Sequence, residues 1–95
     1  MTVPVYLRIL QLFEAEGIKT LFGIPDPNFV HMFVAAEERG WNVVTPHHEL
    51  AAGFMAEGYA RMMGTPALCI ATLGPGVANA AGAMMCAKVE NSPVI

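Results

Sequence analysis

An alternation constrains the fold of this chain more than any other feature. Short apolar runs recur between segments of helical spacing, and each ends at a proline or glycine break. Thr20-Leu21-Phe22-Gly23-Ile24 runs into Pro25, and Trp41-Asn42-Val43-Val44-Thr45 into Pro46. Ala67-Leu68-Cys69-Ile70-Ala71-Thr72 runs into Leu73-Gly74-Pro75-Gly76, and Asn91-Ser92-Pro93-Val94-Ile95 opens like a fourth run. Runs this short, with so little polar alternation, read as strands buried on both faces. Strands that alternate with helices predict an α/β, three-layer fold: a parallel sheet with helices on both faces and right-handed crossovers. The fourth strand has barely begun at Ile95, so the domain, spanning 1–95, is expected to be incomplete at its C-terminal end.

The helices are legible from their punctuation. Pro4 suits a first helical position, Tyr6, Ile9, Leu10 and Phe13 follow at helical spacing, and Gly17 offers a left-handed stop. Asp26-Pro27 predicts the second helix start, because Asp accepts from the orphan amides and Pro needs no donor there. That helix carries Phe29, Met32, Phe33 and Ala36 and stops at Gly40. The third begins at Glu49 and runs to about Met63, before Gly64. Its Ala52, Ala56 and Ala60 form a small-residue strip, and Glu57 and Arg61 stand in the favoured i, i+4 order for an exposed pair. Leu73-Gly74-Pro75-Gly76 is expected to turn the chain into a fourth helix from Val77 to Lys88.

Composition decides what surrounds such a domain. Apolar residues make up 55% of the 95 and charged residues 14%, against about a quarter charged in an ordinary domain. A chain this small cannot hide so many apolar side chains within itself, so it pairs with other protein or is part of a larger one. No run approaches the ~20 apolar residues of a membrane span, and Met1-Thr2-Val3-Pro4 does not read as a signal peptide. A net charge of -3 with five Lys and Arg argues against a nucleic-acid surface. Cys69 and Cys86 read as small buried hydrophobes rather than a disulfide or a zinc pair. Met55, Met62, Met63, Met84 and Met85 read as packing, and His31 as structural or partly exposed.

Ligands of open parallel sheets bind beyond the carboxyl ends of the strands. Three loops should meet there: Gly23 to Asn28, Pro46 to Glu49, and Thr72 to Asn79. Glu49 follows a strand and opens a helix whose next residues are apolar or small. A carboxylate so placed either complements the helix dipole or has a pKa open to adjustment for proton transfer. Gly74-Pro75-Gly76 at a helix start could meet an anion, or simply turn the chain. Asn79 could reach the loop, a ligand or only solvent. His47 and His48 flank Glu49 at a spacing unsuited to a metal pair, and each reads as a loop histidine with a local bond or as a substrate-facing group. On the residues alone, a non-catalytic nucleotide- or phosphate-binding module and a structural subunit remain open beside an enzyme.

Together, three motifs resemble a known family. Leu21-Phe22-Gly23-Ile24-Pro25, then His48-Glu49 with Ala56-Glu57-Gly58-Tyr59-Ala60-Arg61, then Gly74-Pro75-Gly76-Val77-Ala78-Asn79 are similar to the pyrimidine-binding (PYR) domain of thiamine diphosphate-dependent enzymes. The acetolactate synthase and 2-oxo acid decarboxylase group is the nearest in pattern. The resemblance implies that Glu49 is the catalytic carboxylate on the ring nitrogen of the cofactor's aminopyrimidine, favouring the imino tautomer that deprotonates the thiazolium carbon. It implies that Pro25, Gly74, Pro75, Gly76 and Asn79 line the cofactor cleft, and that Asp26 and His48 face the substrate side. Relatives often carry Gly after the proline where this chain has Asp26-Pro27, which leaves that side open.

A second departure is an absence. The family holds the diphosphate and its Mg2+ on another domain with a Gly-Asp-Gly motif that has no match here. The resemblance therefore implies a partner: the pyrophosphate domain of the same enzyme or of another chain, in a homodimer or homotetramer. It implies a cytoplasmic lyase or carboligase on 2-oxo acids, inactive as this chain alone, with no nucleic acid or membrane partner. FAD is compatible with the group but indicated by no residue here.

Overall fold

The computed structural model describes residues 2–95; Met1, part of the leader reading and of the expected 1–95 domain, lies outside them. Seven elements follow one another: α1 (Val5–Ala15), β1 (Thr20–Gly23), α2 (Val30–Glu38), β2 (Asn42–Val44), α3 (Glu49–Met63), β3 (Leu68–Ile70) and α4 (Leu73–Val89). The three strands form one sheet in the order β2-β1-β3. Leu21 lies beside Val43 on one side and Leu68 on the other, and both pairings are parallel. Residues 93–95 run parallel along the chain at the free edge of β3. Val94 bridges Ala67 in parallel, the Ile95 amide donates to the Ala67 carbonyl at 2.9 Å, and the Cys69 amide to the Ile95 carbonyl at 2.8 Å.

Side chains on a strand alternate between the two faces, and that period divides the core. Leu21, Val43, Leu68 and Ile70 join the cluster of α1 and α2, with Leu10, Met32, Phe33, Ala36 and Trp41. Phe22, Val44, Ala67 and Cys69 join Ala52, Ala56 and Ala60 of α3. The chain steps from β1 to β2 in one direction and from β2 past β1 to β3 in the other. With a constant crossover hand, that reversal puts α2 and α3 on opposite faces.

Several boundaries differ from the sequence expectation. Pro4 precedes α1 with ψ 144°, an extended value, so the helix opens at Val5 rather than at the proline. Gly17, Gly40 and Gly64 do take positive φ after their helices. Asp26 caps as expected: its carbonyl accepts from Val30 at 2.8 Å and its Oδ1 from the Phe29 amide at 3.2 Å. That first turn is irregular, so α2 proper starts four residues later, at Val30. Leu73-Gly74-Pro75-Gly76 does not precede the fourth helix but forms its first turn. Pro costs nothing there, since first-turn amides have no intrahelical partner.

The small-residue strip of α3 has a definite use. Ala52, Ala56 and Ala60 are fully buried against the sheet, while α4 packs on the flank of α3 through Gly76, Ala80, Ala83 and Ala87. Because alanines occupy the inner face, the methionines point elsewhere. Met62 is 86% exposed, and Met55, Met63 and Met85 are exposed too, so most of the packing expected of them is not made within this chain. Cys69 and Cys86 are half-buried free thiols rather than core residues. An apolar groove of about 250 Å³ lies between α1, α2 and β3, lined by Phe13, Phe29 and Ile70 among others. Within the Glu57–Arg61 pair Glu57 is buried and Arg61 exposed. Among the described residues, no helix is long and apolar enough to cross a membrane.

Candidate active site

With β1 between β2 and β3, the strand order reverses at β1. In open parallel sheets the crevice beyond the carboxyl ends at such a reversal is where ligands bind. The loops after β1 and β3 meet there. Asn28 Nδ2 donates to Thr72 Oγ1 at 3.4 Å and to Asp26 Oδ2 at 2.9 Å. The Thr72 hydroxyl above all holds Asp26 below its ordinary carboxylate value. Partial burial opposes it, and the Asn28 side chain and the amides of Phe29 and Asn28 reinforce it. The strands themselves close tightly at this end: a Cβ on Gly23 would stand 2.6 Å from the Ile70 carbonyl oxygen.

Glu49 is the first residue of α3, and His48 is its N-cap. The His48 Nδ1 accepts from the Leu50 amide at 3.0 Å, so the local bond foreseen for a loop histidine is made, with the rest of the ring exposed. The Glu49 carboxylate is half-buried rather than enclosed. Its Oε1 accepts from Asn79 Nδ2 at 3.4 Å, and no donor from the described residues reaches Oε2. A Cβ on Gly76 would stand 3.6 Å from that Oε2 and 3.6 Å from Thr72 Cγ2. A side chain at position 76 would therefore start in van der Waals contact with Oε2.

The start of α4 joins the two halves of the site. Thr72 is the N-cap and makes no capping bond with its side chain, which contacts the Asp26 loop instead. Leu73 enters the helix with φ 48°. Gly74 and Pro75 are exposed, Gly76 is buried, and Asn79 sits on the second turn, over Glu49. Pro25 is exposed in the loop after β1, and no hydrogen bond among the described residues links that loop to Glu49. Sequence reasoning did not single out Asn28 and Thr72. Both are polar groups just beyond strand ends at the reversal, and that placement could have found them. Among the described residues no cluster of three His, Cys, Asp or Glu forms.

This geometry offers a carboxylate with one oxygen bonded to Asn79 and the other without a hydrogen-bond donor among the described residues, beside helix-start amides that the Thr72 side chain does not cap. A carboxylate so placed can share a proton with a ligand group that comes within hydrogen-bond reach of its unpartnered oxygen. Residues 5–95 match the family described as thiamine pyrophosphate enzyme, N-terminal TPP binding domain. The chain is 37% identical over 87 residues to the Pseudomonas aeruginosa protein named "Probable 2-ketoarginine decarboxylase", covering 92% of this chain and 16% of that one. It is 34% identical over 80 residues to the acetolactate synthase of Bacillus subtilis, covering 84% and 14%. The solved structure of the thiamine diphosphate-dependent 4-hydroxybenzoylformate decarboxylase of Rhodococcus jostii superimposes with a TM-score of 0.84 at 27% identity, over 96% of this chain and 17% of that one. The chain thus spans about a sixth of the length of these relatives.

Proposed function

The chain belongs to the thiamine pyrophosphate enzyme family, as its N-terminal TPP binding domain, and from that premise we propose that it is the aminopyrimidine-binding part of an enzyme acting on 2-oxo acids. One observation carries the reading: Glu49 has Oε1 held by Asn79 and Oε2 over the side-chain-free Gly76. Bound thiamine diphosphate supplies the carbanion chemistry that cleaves the bond beside a 2-oxo carbonyl. The residues of this chain orient the cofactor and handle its proton. Glu49 takes and returns a proton at the pyrimidine ring nitrogen, as a general acid–base positioned within hydrogen-bond reach. Gly74, Pro75 and Gly76 line the ring, and Pro25, Asp26 and His48 bound the substrate side.

The rest of the site comes from elsewhere in the enzyme. The diphosphate and its Mg2+ are held by a pyrophosphate domain of the same or a partner chain, in a cytoplasmic homodimer or homotetramer. The apolar side chains that α3 and α4 expose, Phe54 and Met55 at 44% and 45% and Val77 at 57%, are consistent with such a contact, which would take them out of water. This chain alone is then inactive, carrying half of a catalytic centre. The relatives named as an acetolactate synthase and as decarboxylases favour carboligation or decarboxylation of a 2-oxo acid.

The test is Glu49→Gln in the full-length enzyme. Hydrogen–deuterium exchange at the thiazolium carbon should slow by about 10²–10⁴-fold, the usual contribution of a positioned acid–base. Near-normal exchange would remove Glu49 from the chemistry and leave a cofactor- or phosphate-binding module.

A further inference from the structure

Resting on the assignment of Glu49, we infer that Asn79 is a positioning residue for that carboxylate, and that the close packing of α3 on α4 sets the distance across which it acts. Asn79 and Ala83 are four apart on α4; Glu49 and Gly53 are four apart on α3. Residues at that spacing are neighbours on one helix face, so the contact between Glu49 and Asn79 repeats one turn later as Gly53 against Ala83. At that turn there is no slack. A Cβ on Gly53 would stand 2.5 Å from Ala83 Cβ and 3.0 Å from Met84 Cε. Gly82, three residues beyond Asn79, faces Leu50 more loosely, its Cβ position 3.3 Å from the flexible end of that side chain, Cδ1. Two successive α3 residues, Glu49 and Leu50, are thus matched to Asn79 and Gly82 on α4.

The chemistry of the pair fixes its polarity. An ionised carboxylate only accepts, so the Asn79 amide presents its NH2 to Oε1. Holding Oε1 leaves Oε2 as the oxygen over Gly76. The 3.4 Å separation is longer than an ordinary bond, as is common before a catalytic site closes on its ligand. Asn79 therefore acts through Glu49 and not as a ligand of the cofactor, which sharpens the role the sequence implied for it.

Asn79 is exposed, so its replacement tests the inference without disturbing the core. In the full-length enzyme, Asn79→Ala should slow thiazolium hydrogen–deuterium exchange by about 10- to 100-fold, the scale of a misplaced catalytic group. The dissociation constant for thiamine diphosphate should change by less than about 3-fold. Asn79→Gln, which retains the amide, should restore part of the exchange rate. In a Glu49→Gln background Asn79→Ala should add nothing, the signature of two residues acting as one unit. A crystal structure of cofactor-free Asn79→Ala should show the Glu49 carboxylate rotated from its wild-type orientation. Gly53→Ala should slow exchange in the same sense by pushing the helices apart. Weakened cofactor binding as the main effect, or a full Asn79→Ala effect in the Glu49→Gln background, overturns the inference. Normal exchange in Glu49→Gln overturns instead the assignment on which it rests.

Discussion

Ser92 Oγ donates to Glu57 Oε1 at 2.7 Å, joining the turn after α4 to a carboxylate in the middle of α3 that is 7% exposed. Arg61 Nη1 donates to the same oxygen at 3.2 Å. Ser92 above all holds Glu57 below its ordinary carboxylate value, partial burial opposes it, and Arg61 adds to the lowering. The bond fixes the chain just before Pro93, whose carbonyl accepts from the Ala67 amide at 3.0 Å at the free edge of the sheet.

Ser92→Ala should therefore act locally. It leaves a buried charged acceptor short of a donor, which costs more than the bond itself contributes. The thermal midpoint should fall. The amides of Cys69 and Ile95 should lose protection in hydrogen exchange while those of Leu21 and Val43 keep theirs. Uniform loss of protection across the sheet would mean that Ser92 stabilises the whole fold and not this edge.

Glu14 predicts an acid window. Its carboxylate accepts from Arg39 Nε at 2.8 Å and from Trp41 Nε1 at 2.9 Å, and Arg39 and then Trp41 lower its pKa from 4.5 to about 2. A carboxyl lowered in the folded state contributes stability that is complete above its unfolded value and is lost as pH falls through the folded one. Denaturant midpoints should thus decline as pH falls from about 4.5 to about 2. Glu14→Gln should be less stable at pH 7 and should flatten that part of the decline. An unchanged acid slope in the variant would place the titrating group elsewhere.

Two glycines predict opposite signs. A Cβ on Gly23 would meet the Ile70 carbonyl oxygen at 2.6 Å, and a backbone atom in the sheet cannot move aside cheaply. Gly23→Ala should cost about 1–3 kcal/mol, the scale of overpacking. Gly58 lies inside α3 with open space where its Cβ would be. Gly58→Ala should stabilise by about 0.5–1 kcal/mol, because alanine loses less freedom in a helix. Denaturant titration of the two variants separates steric closure from helix propensity.

Which features were legible in the sequence follows from the range of each interaction. The strands, the faces they divide and the span of α3 from Glu49 to Met63 depend on neighbours within a few residues, so periodicity and punctuation reveal them. Gly74-Pro75-Gly76 was misjudged because its propensity is the worst for a helix interior, yet it sits in a first turn where propensity counts for little. The burial of Glu57 could not be read, because its partner Ser92 lies 35 residues away. The exposed methionines follow from a second cause: alanines took the inner face of α3. At the site, the motifs marked Glu49 and the Gly74–Asn79 segment, but the pairing of Glu49 with Asn79 depends on how two helices pack, with Gly53 close against Ala83.

His48 has one observed role and one proposed role, and substitution can separate them. As N-cap it accepts from the Leu50 amide through Nδ1, and under the proposed function its exposed side chain, next in sequence to Glu49, would also face the substrate. Loss of a cap costs about 1 kcal/mol, whereas asparagine is among the best replacements at that position. His48→Ala should lower the thermal midpoint, and His48→Asn should keep it near wild type. If the ring also meets the 2-oxo acid, His48→Asn in the full-length enzyme should raise KM while stability is retained, and that is the outcome expected here. An unchanged KM in His48→Asn would assign the histidine to the helix start alone, and would leave Asp26, bonded to the Asn28 that reaches Thr72 across the crevice, as the proposed polar group on the substrate side.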